Sequence, residues 1–220
     1  MKVVHFDPEK SAHTRYTLGA RQHWSVFLSC AGEPLLCPDF EKAIALSDTF
    51  LNKTDVSIVT NGFLLDETKR NILASSKLSR VYISIYTINP DLYARLCSAK
   101  EATVSNVKDN IVKLANACRN KDGPKVILIS IAMRSTLPLF MELADWAVNA
   151  GVSGMRVHWL TLPAKGMDAN EKVPPAEALP TLTRMAALFS AKELYFEFPY
   201  IKNSHKMWSV LKQLAFIKNK

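Results

Sequence analysis

From Trp24 to Leu160 the chain alternates short apolar runs with amphipathic stretches, and this regular alternation restricts the fold more than any other feature. The short runs Ser25 to Ser29, Val56 to Thr60, Arg80 to Tyr86, Val126 to Ile131 and Met155 to Leu160 are rich in β-branched and aromatic residues and read as strands. Between them lie helix patterns over Asp39 to Leu51, Asp66 to Ser75, Pro90 to Leu96, Thr103 to Arg119 and Pro138 to Asn149. The clearest is Thr103 to Arg119, with Val104, Val107, Ile111, Leu114, Ala115 and Cys118 on one face. Strands joined through helices pair in parallel with right-handed crossovers. The expected fold class is therefore α/β: a partial (β/α) barrel with a parallel sheet of five strands, a sixth at Leu194 to Phe198, and helices outside.

A chain of 220 residues with 48% hydrophobic content buries the core of one domain, so residues 1–220 are expected to form a single unit. There is no run of some eighteen apolar residues and no signal-peptide pattern, which predicts a soluble cytoplasmic protein without membrane contact. The formal charge is +8, but Lys202, Lys206, Lys212, Lys218 and Lys220 account for five of these charges in a tail without acidic residues. Nucleic acid is therefore not the expected partner. The tail reads as a basic terminal helix over residues 203–220, with Met207, Leu211, Leu214 and Ile217 on one side. Residues Met1 to His23 hold no motif, and His5, His13 and His23 have no ligand-pair spacing.

At strand carboxyl ends, where α/β folds bind ligands, the chain places polar residues in order. The first strand leads into Gly32-Glu33-Pro34, the second ends in Thr60-Asn61-Gly62, and the third carries Ser84. Arg134 follows the fourth strand, and His158 and Trp159 end the fifth, where both read as core or pocket wall. Glu33 can accept from an ammonium group, Thr60 and Ser84 can bond ribose or carboxylate oxygens, and Arg134 can clamp a carboxylate through its fork. Each has a plain structural reading as well, since Asn-Gly is ordinary turn chemistry and a strand serine is often only a satisfied hydroxyl.

The series Ala-Gly-Glu-Pro-Leu-Leu, Thr-Asn-Gly-Phe-Leu-Leu and Tyr-Ile-Ser-Ile, continued by the helix ending Asn110-Ile111-Val112-Lys113-Leu114, resembles the radical S-adenosylmethionine (radical SAM) superfamily as far as about Gly166. The resemblance implies a cofactor site at Gly32, Glu33, Pro34, Thr60, Asn61, Ser84 and Arg134, with the glycine-glutamate-proline turn holding the methionine amino group of S-adenosylmethionine. It implies reductive cleavage of that cofactor to a 5′-deoxyadenosyl radical, a four-iron four-sulfur (4Fe-4S) cluster, a reductant protein as partner, and an unnamed small-molecule or peptide substrate.

The sequence departs from the family in three places. Ala31 stands where the family has a glycine, and Tyr86-Thr87 where an acidic residue is common. More seriously, the C-x3-C-x2-C loop whose thiolates hold the cluster is absent. The four cysteines are Cys30, Cys37, Cys97 and Cys118, of which only Cys30 and Cys37 are near in sequence, so the cysteines present do not support a cluster and no metal ligand is assigned. They are expected to be reduced and partly buried. An amino-terminally truncated enzyme core, inactive as written, is the expectation, with a degenerate relative as the other account. Two rivals remain: a non-catalytic scaffold docking an acidic partner through the basic tail, and an α/β enzyme using Glu33 in acid-base chemistry.

Overall fold

The fold was obtained as a computed structural model, which describes residues 24–28, 32–49, 54–161 and 168–198. Its six strands are β1 (Trp24–Leu28), β2 (Thr54–Thr60), β3 (Arg80–Ser84), β4 (Lys125–Ala132), β5 (Gly154–Trp159) and β6 (Tyr195–Glu197). They form one sheet in chain order, every neighbouring pair parallel. The crossovers carry α1 (Phe40–Ser47), α2 (Glu67–Ser75), α3 (Pro90–Cys97) and α4 (Ala102–Asn120), α5 (Phe140–Asn149), and α6 (Pro175–Ala191). Among the described residues the sheet is open, with β1 and β6 as its edges. This is the parallel α/β partial barrel that the alternation predicts.

Alternation along the strands sends every second side chain to the helix layer. Val56 and Ile58, Val81 and Ile83, Val126 and Leu128, and Met155 and Val157 share one core with Leu73, Val107, Ile111, Leu114, Leu143 and Phe189. Ile111 and Leu114 are fully buried; side chains of this kind contribute roughly 1.5–3 kcal/mol each through burial. Residues out of phase face the other side of the sheet. There the Phe27 and Tyr82 rings lie 5.9 Å apart, and the Arg156 guanidinium sits 5.1 Å from the Tyr82 ring centre.

Several boundaries differ from expectation for local reasons. The helix predicted to Leu51 ends at Ser47; Asp48 follows it, its amide still donating to the Ile44 carbonyl at 3.2 Å, and the Ser47 and Thr49 hydroxyls donate to the Ile44 and Leu46 carbonyls of this last turn. Asp39 precedes this helix but makes no side-chain capping bond and pairs with Lys42 instead. The third strand stops at Ser84 rather than Tyr86, although the Ile85 amide still donates to the Ile129 carbonyl. Asn89 then caps α3 by accepting from the Leu92 amide. The sixth strand is confined to Tyr195–Glu197. Residues 168–174, ahead of α6, include a 3-10 turn at Ala169–Glu171 and an antiparallel bridge from Lys172 to Met133. The predicted tail helix and Cys30 lie outside the described residues.

Candidate cofactor site at the strand rim

Parallel pairing brings the carboxyl ends of all six strands to one rim, and Glu33 is built into it by the local sequence. Pro34 opens a 3-10 turn, Pro34–Leu36, and Glu33 caps that turn by accepting from the Leu35 amide at 3.2 Å. The turn tips the carboxylate toward β2. There the Thr60 hydroxyl donates to Glu33 Oε1 at 2.5 Å and the Asn61 amide donates to Oε2 at 2.8 Å. A carboxylate has about four acceptor positions. Three are taken by these donors, and Oε2, with a single donor among the described residues, keeps room for one more. Among the described residues, a Cβ added to Gly32 would meet nothing within 4 Å.

Thr60 is buried and its hydroxyl works inside the protein, donating to Glu33 and accepting from the Gly62 amide at 3.1 Å. Asn61 is exposed; its side-chain oxygen accepts from the Phe63 amide, making a compact turn that Gly62 completes at φ +74. Ser84 is half-buried at the last position of β3, and Ile129, Arg156 and Glu197 follow it in register across β4, β5 and β6.

Arg134 stands apart from Glu33 and Asn61 in its contacts. Its fork takes the Glu177 carboxylate at 2.9 and 3.4 Å, and its Nε donates to the Asn170 carbonyl, so it ties the exit of β4 to α6. Both partners are about half exposed, and such a pair contributes roughly 0–1 kcal/mol. Glu33, Thr60 and Asn61 are thus brought into direct contact, Ser84 shares their rim, and Arg134 is engaged elsewhere. His158 is exposed and Trp159 packs at the edge of the core.

Sequence reasoning assigned no role to Arg70 or Asn110, which hold the loop after β2 from below. Asn110 Nδ2 donates to the Gly62 and Phe63 carbonyls at 3.1 and 3.4 Å, while Arg70 Nη1 donates to the Leu65 carbonyl and to Asn110 Oδ1. A signal existed: Asn110 lies three residues after Val107 and four before Leu114, an amide at an apolar position of α4.

Another polar group lies on the second face. Arg156 bonds Glu197 and the Tyr195 hydroxyl, and Tyr195 donates to Glu197. Burial alone would raise the Glu197 carboxyl, but the Tyr195 hydroxyl and the Arg156 charge outweigh it and hold Glu197 below its ordinary value.

The cluster ligands can be tested against the cysteines. Cys37 is exposed at the end of the 3-10 turn, contrary to the expected partial burial, because that turn lies on the surface of the rim. Cys97 is half-buried on α3 and Cys118 is buried on α4. Among the described residues no three histidine, cysteine, aspartate or glutamate side chains are grouped to hold a metal. These residues do not fit a four-iron cluster. Among them, too, no helix is long and apolar enough to cross a membrane.

An open parallel α/β sheet with a carboxylate anchored at the carboxyl ends of its strands defines a partial-barrel core. The sequence model of the Radical SAM superfamily matches residues 6–160, and the chain belongs to that family. The family's cofactors are S-adenosylmethionine and a 4Fe-4S cluster. Among curated relatives, a protein named "Probable GTP 3′,8-cyclase" from Methanococcus aeolicus is 32% identical over 124 residues, which is 55% of this chain and 38% of that protein. Its namesake from Methanosarcina acetivorans is 34% identical over 76 residues, 34% of this chain and 22% of the relative. The chain thus matches well under half the length of either. Streptococcus suis SuiB bound to S-adenosylmethionine superposes with a TM-score of 0.61 at 18% identity, over 80% of this chain and 39% of SuiB. SuiB bound to its precursor peptide SuiA gives 0.62 over 87% of this chain and 40% of SuiB, again at 18% identity, a likeness of fold.

Proposed function

We propose that the chain is the cofactor-recognising core of a radical SAM enzyme, in which the Glu33 carboxylate receives the methionine amino group of S-adenosylmethionine. The observation that carries this reading is the anchoring of Glu33 at the strand rim by three donors, of which a single one among the described residues takes Oε2. A fixed carboxylate binds an ammonium group through a charge-assisted hydrogen bond, and its orientation is already determined before the ligand arrives. Gly32 and Pro34 shape the turn, Thr60 orients Glu33, and Asn61 and Ser84 supply polar groups beside it. Arg134 reaches a ligand carboxylate only by leaving Glu177, an exchange that costs little for an exposed pair.

When bound, the family's cluster supplies the electron that cleaves S-adenosylmethionine; the cysteines of the described residues do not provide for it. The substrate class is a small molecule or a peptide, and a reductant protein serves the complete enzyme. The relatives named as GTP cyclases support the first choice and the peptide-bound neighbours the second.

Isothermal titration with S-adenosylmethionine tests the reading. Saturable binding is expected for the unaltered protein, and Glu33→Ala should weaken it by about tenfold or more, as loss of a charge-assisted bond implies. Circular dichroism checks that the variant folds. No saturable binding by the unaltered protein, or equal binding by a folded Glu33→Ala, overturns the proposal.

A further inference from the structure

We infer that Asn110 is a positioning residue for the cofactor rim: by holding the carbonyls of Gly62 and Phe63, it fixes the backbone whose Asn61 amide aims the Glu33 carboxylate. The inference deepens the reading of Glu33 given above and rests on it for the identity of the ligand.

The chain of contacts is continuous. Asn110 is half-buried on α4, inside the face that packs on the sheet. Its amide nitrogen donates to two consecutive carbonyls, Gly62 at 3.1 Å and Phe63 at 3.4 Å. These belong to the turn whose first amide, that of Asn61, donates to Glu33 Oε2 at 2.8 Å. The turn has few other anchors on the helix layer. Gly62 is left-handed, its Cβ position lies 2.9 Å from Ile83 Cγ2, and its carbonyl points toward the helix layer rather than into a strand ladder. A buried carbonyl outside any ladder takes a donor from a side chain or from water. Asn110 provides one for both groups.

Asn110 is itself held. Its Oδ1 accepts from Arg70 Nη1 at 3.2 Å, and the same nitrogen donates to the Leu65 carbonyl at 2.5 Å. A fixed acceptor on one side makes the amide present its nitrogen on the other, so Arg70 of α2 determines which way the Asn110 donor points. Two helices of the outer layer thereby set the geometry of a carboxylate on the rim, acting through the turn at Asn61 to Phe63.

Two substitutions separate positioning from a mere tie between helices. Asn110→Asp keeps an acceptor for Arg70 and strengthens that link by charge, but removes the donor and turns an oxygen on the two carbonyls. Asn110→Ala removes both. Amide hydrogen exchange, read residue by residue, and titration with S-adenosylmethionine are the measurements.

The expectation is that both variants exchange the Asn61, Gly62 and Phe63 amides faster, on the order of tenfold. Amides of β3 and β4 should be unchanged, and cofactor affinity should fall by a similar factor. If Asn110→Asp keeps the loop protected and only Asn110→Ala loosens it, the residue is a helix tie and the inference is wrong. It is equally wrong if neither variant changes loop exchange, if exchange accelerates evenly over the whole domain, or if affinity is unaltered while the loop loosens. Should the unaltered protein fail to bind S-adenosylmethionine, the reading of Glu33 falls, and the exchange pattern still decides whether Asn110 sets the loop.

Discussion

At Gly62 backbone conformation and packing make the same demand. Its φ of +74 is a left-handed angle, and an added Cβ would stand 2.9 Å from the buried Ile83 side chain. The first costs an L-residue about 1 kcal/mol, and the second cannot be relieved cheaply because Ile83 is β-branched and fully buried. Gly62→Ala is therefore expected to lower unfolding stability by about 1–3 kcal/mol in urea denaturation; an unchanged midpoint would refute this. The left-handed turn was legible from Asn61-Gly62, since those residue types accept the angle. The link from Glu33 to Thr60 and Asn61 was not, because the partners are 27 and 28 residues apart and no local pattern encodes a contact across two strand ends. Arg134 shows the opposite case. Its place after β4 was legible, but its partner Glu177 lies 43 residues on, so a residue read as a free fork is in contact with another helix.

Among the helices, α4 was legible almost to the residue because its apolar stripe has the helical period over 19 positions. The end of α1 was not, since the hydroxyl bonds of Ser47 and Thr49 to the carbonyls of the last turn are local contacts that periodicity does not register. The α4 stripe also sets the chemistry of Cys118. Burial pushes its thiol from 9.0 to about 11, and Lys121 opposes this only weakly. The folded value lies above the unfolded one, so the thiol's contribution to stability is complete below about pH 9 and is lost as pH rises through about 11. Tyr93, also raised by burial, acts in the same direction. Alkylation at neutral pH should therefore label exposed Cys37 quickly and Cys118 only as fast as the domain unfolds. Peptide mass spectrometry reads this directly, and equal labelling rates would show that α4 is not packed as described.

For the molecule as a whole, the strand order was legible because each connection between strands carries a helix, and that requirement alone makes neighbouring strands parallel. The same geometry decides what the cysteines can do. A four-iron cluster of the family type needs three thiolates from one compact loop, and the sequence contains no C-x3-C-x2-C. Cys97 and Cys118 belong to two different helices, with Cys118 in the core, and Cys37 is on the rim surface. Bringing Cys118 to the others would require pulling α4 off the sheet, which exposes Ile111 and Leu114 and costs several kcal/mol by burial alone. Anaerobic reconstitution of the 220-residue chain with iron and sulfide should therefore give substoichiometric, nonspecific iron, and incubation with S-adenosylmethionine and a strong reductant should yield no 5′-deoxyadenosine. Weak cofactor binding through Glu33 is compatible with that outcome, because the ammonium contact does not involve iron. A site-differentiated cluster detected by electron paramagnetic resonance would show that thiolates on separate elements can converge, and the packing of α4 would have to be redrawn.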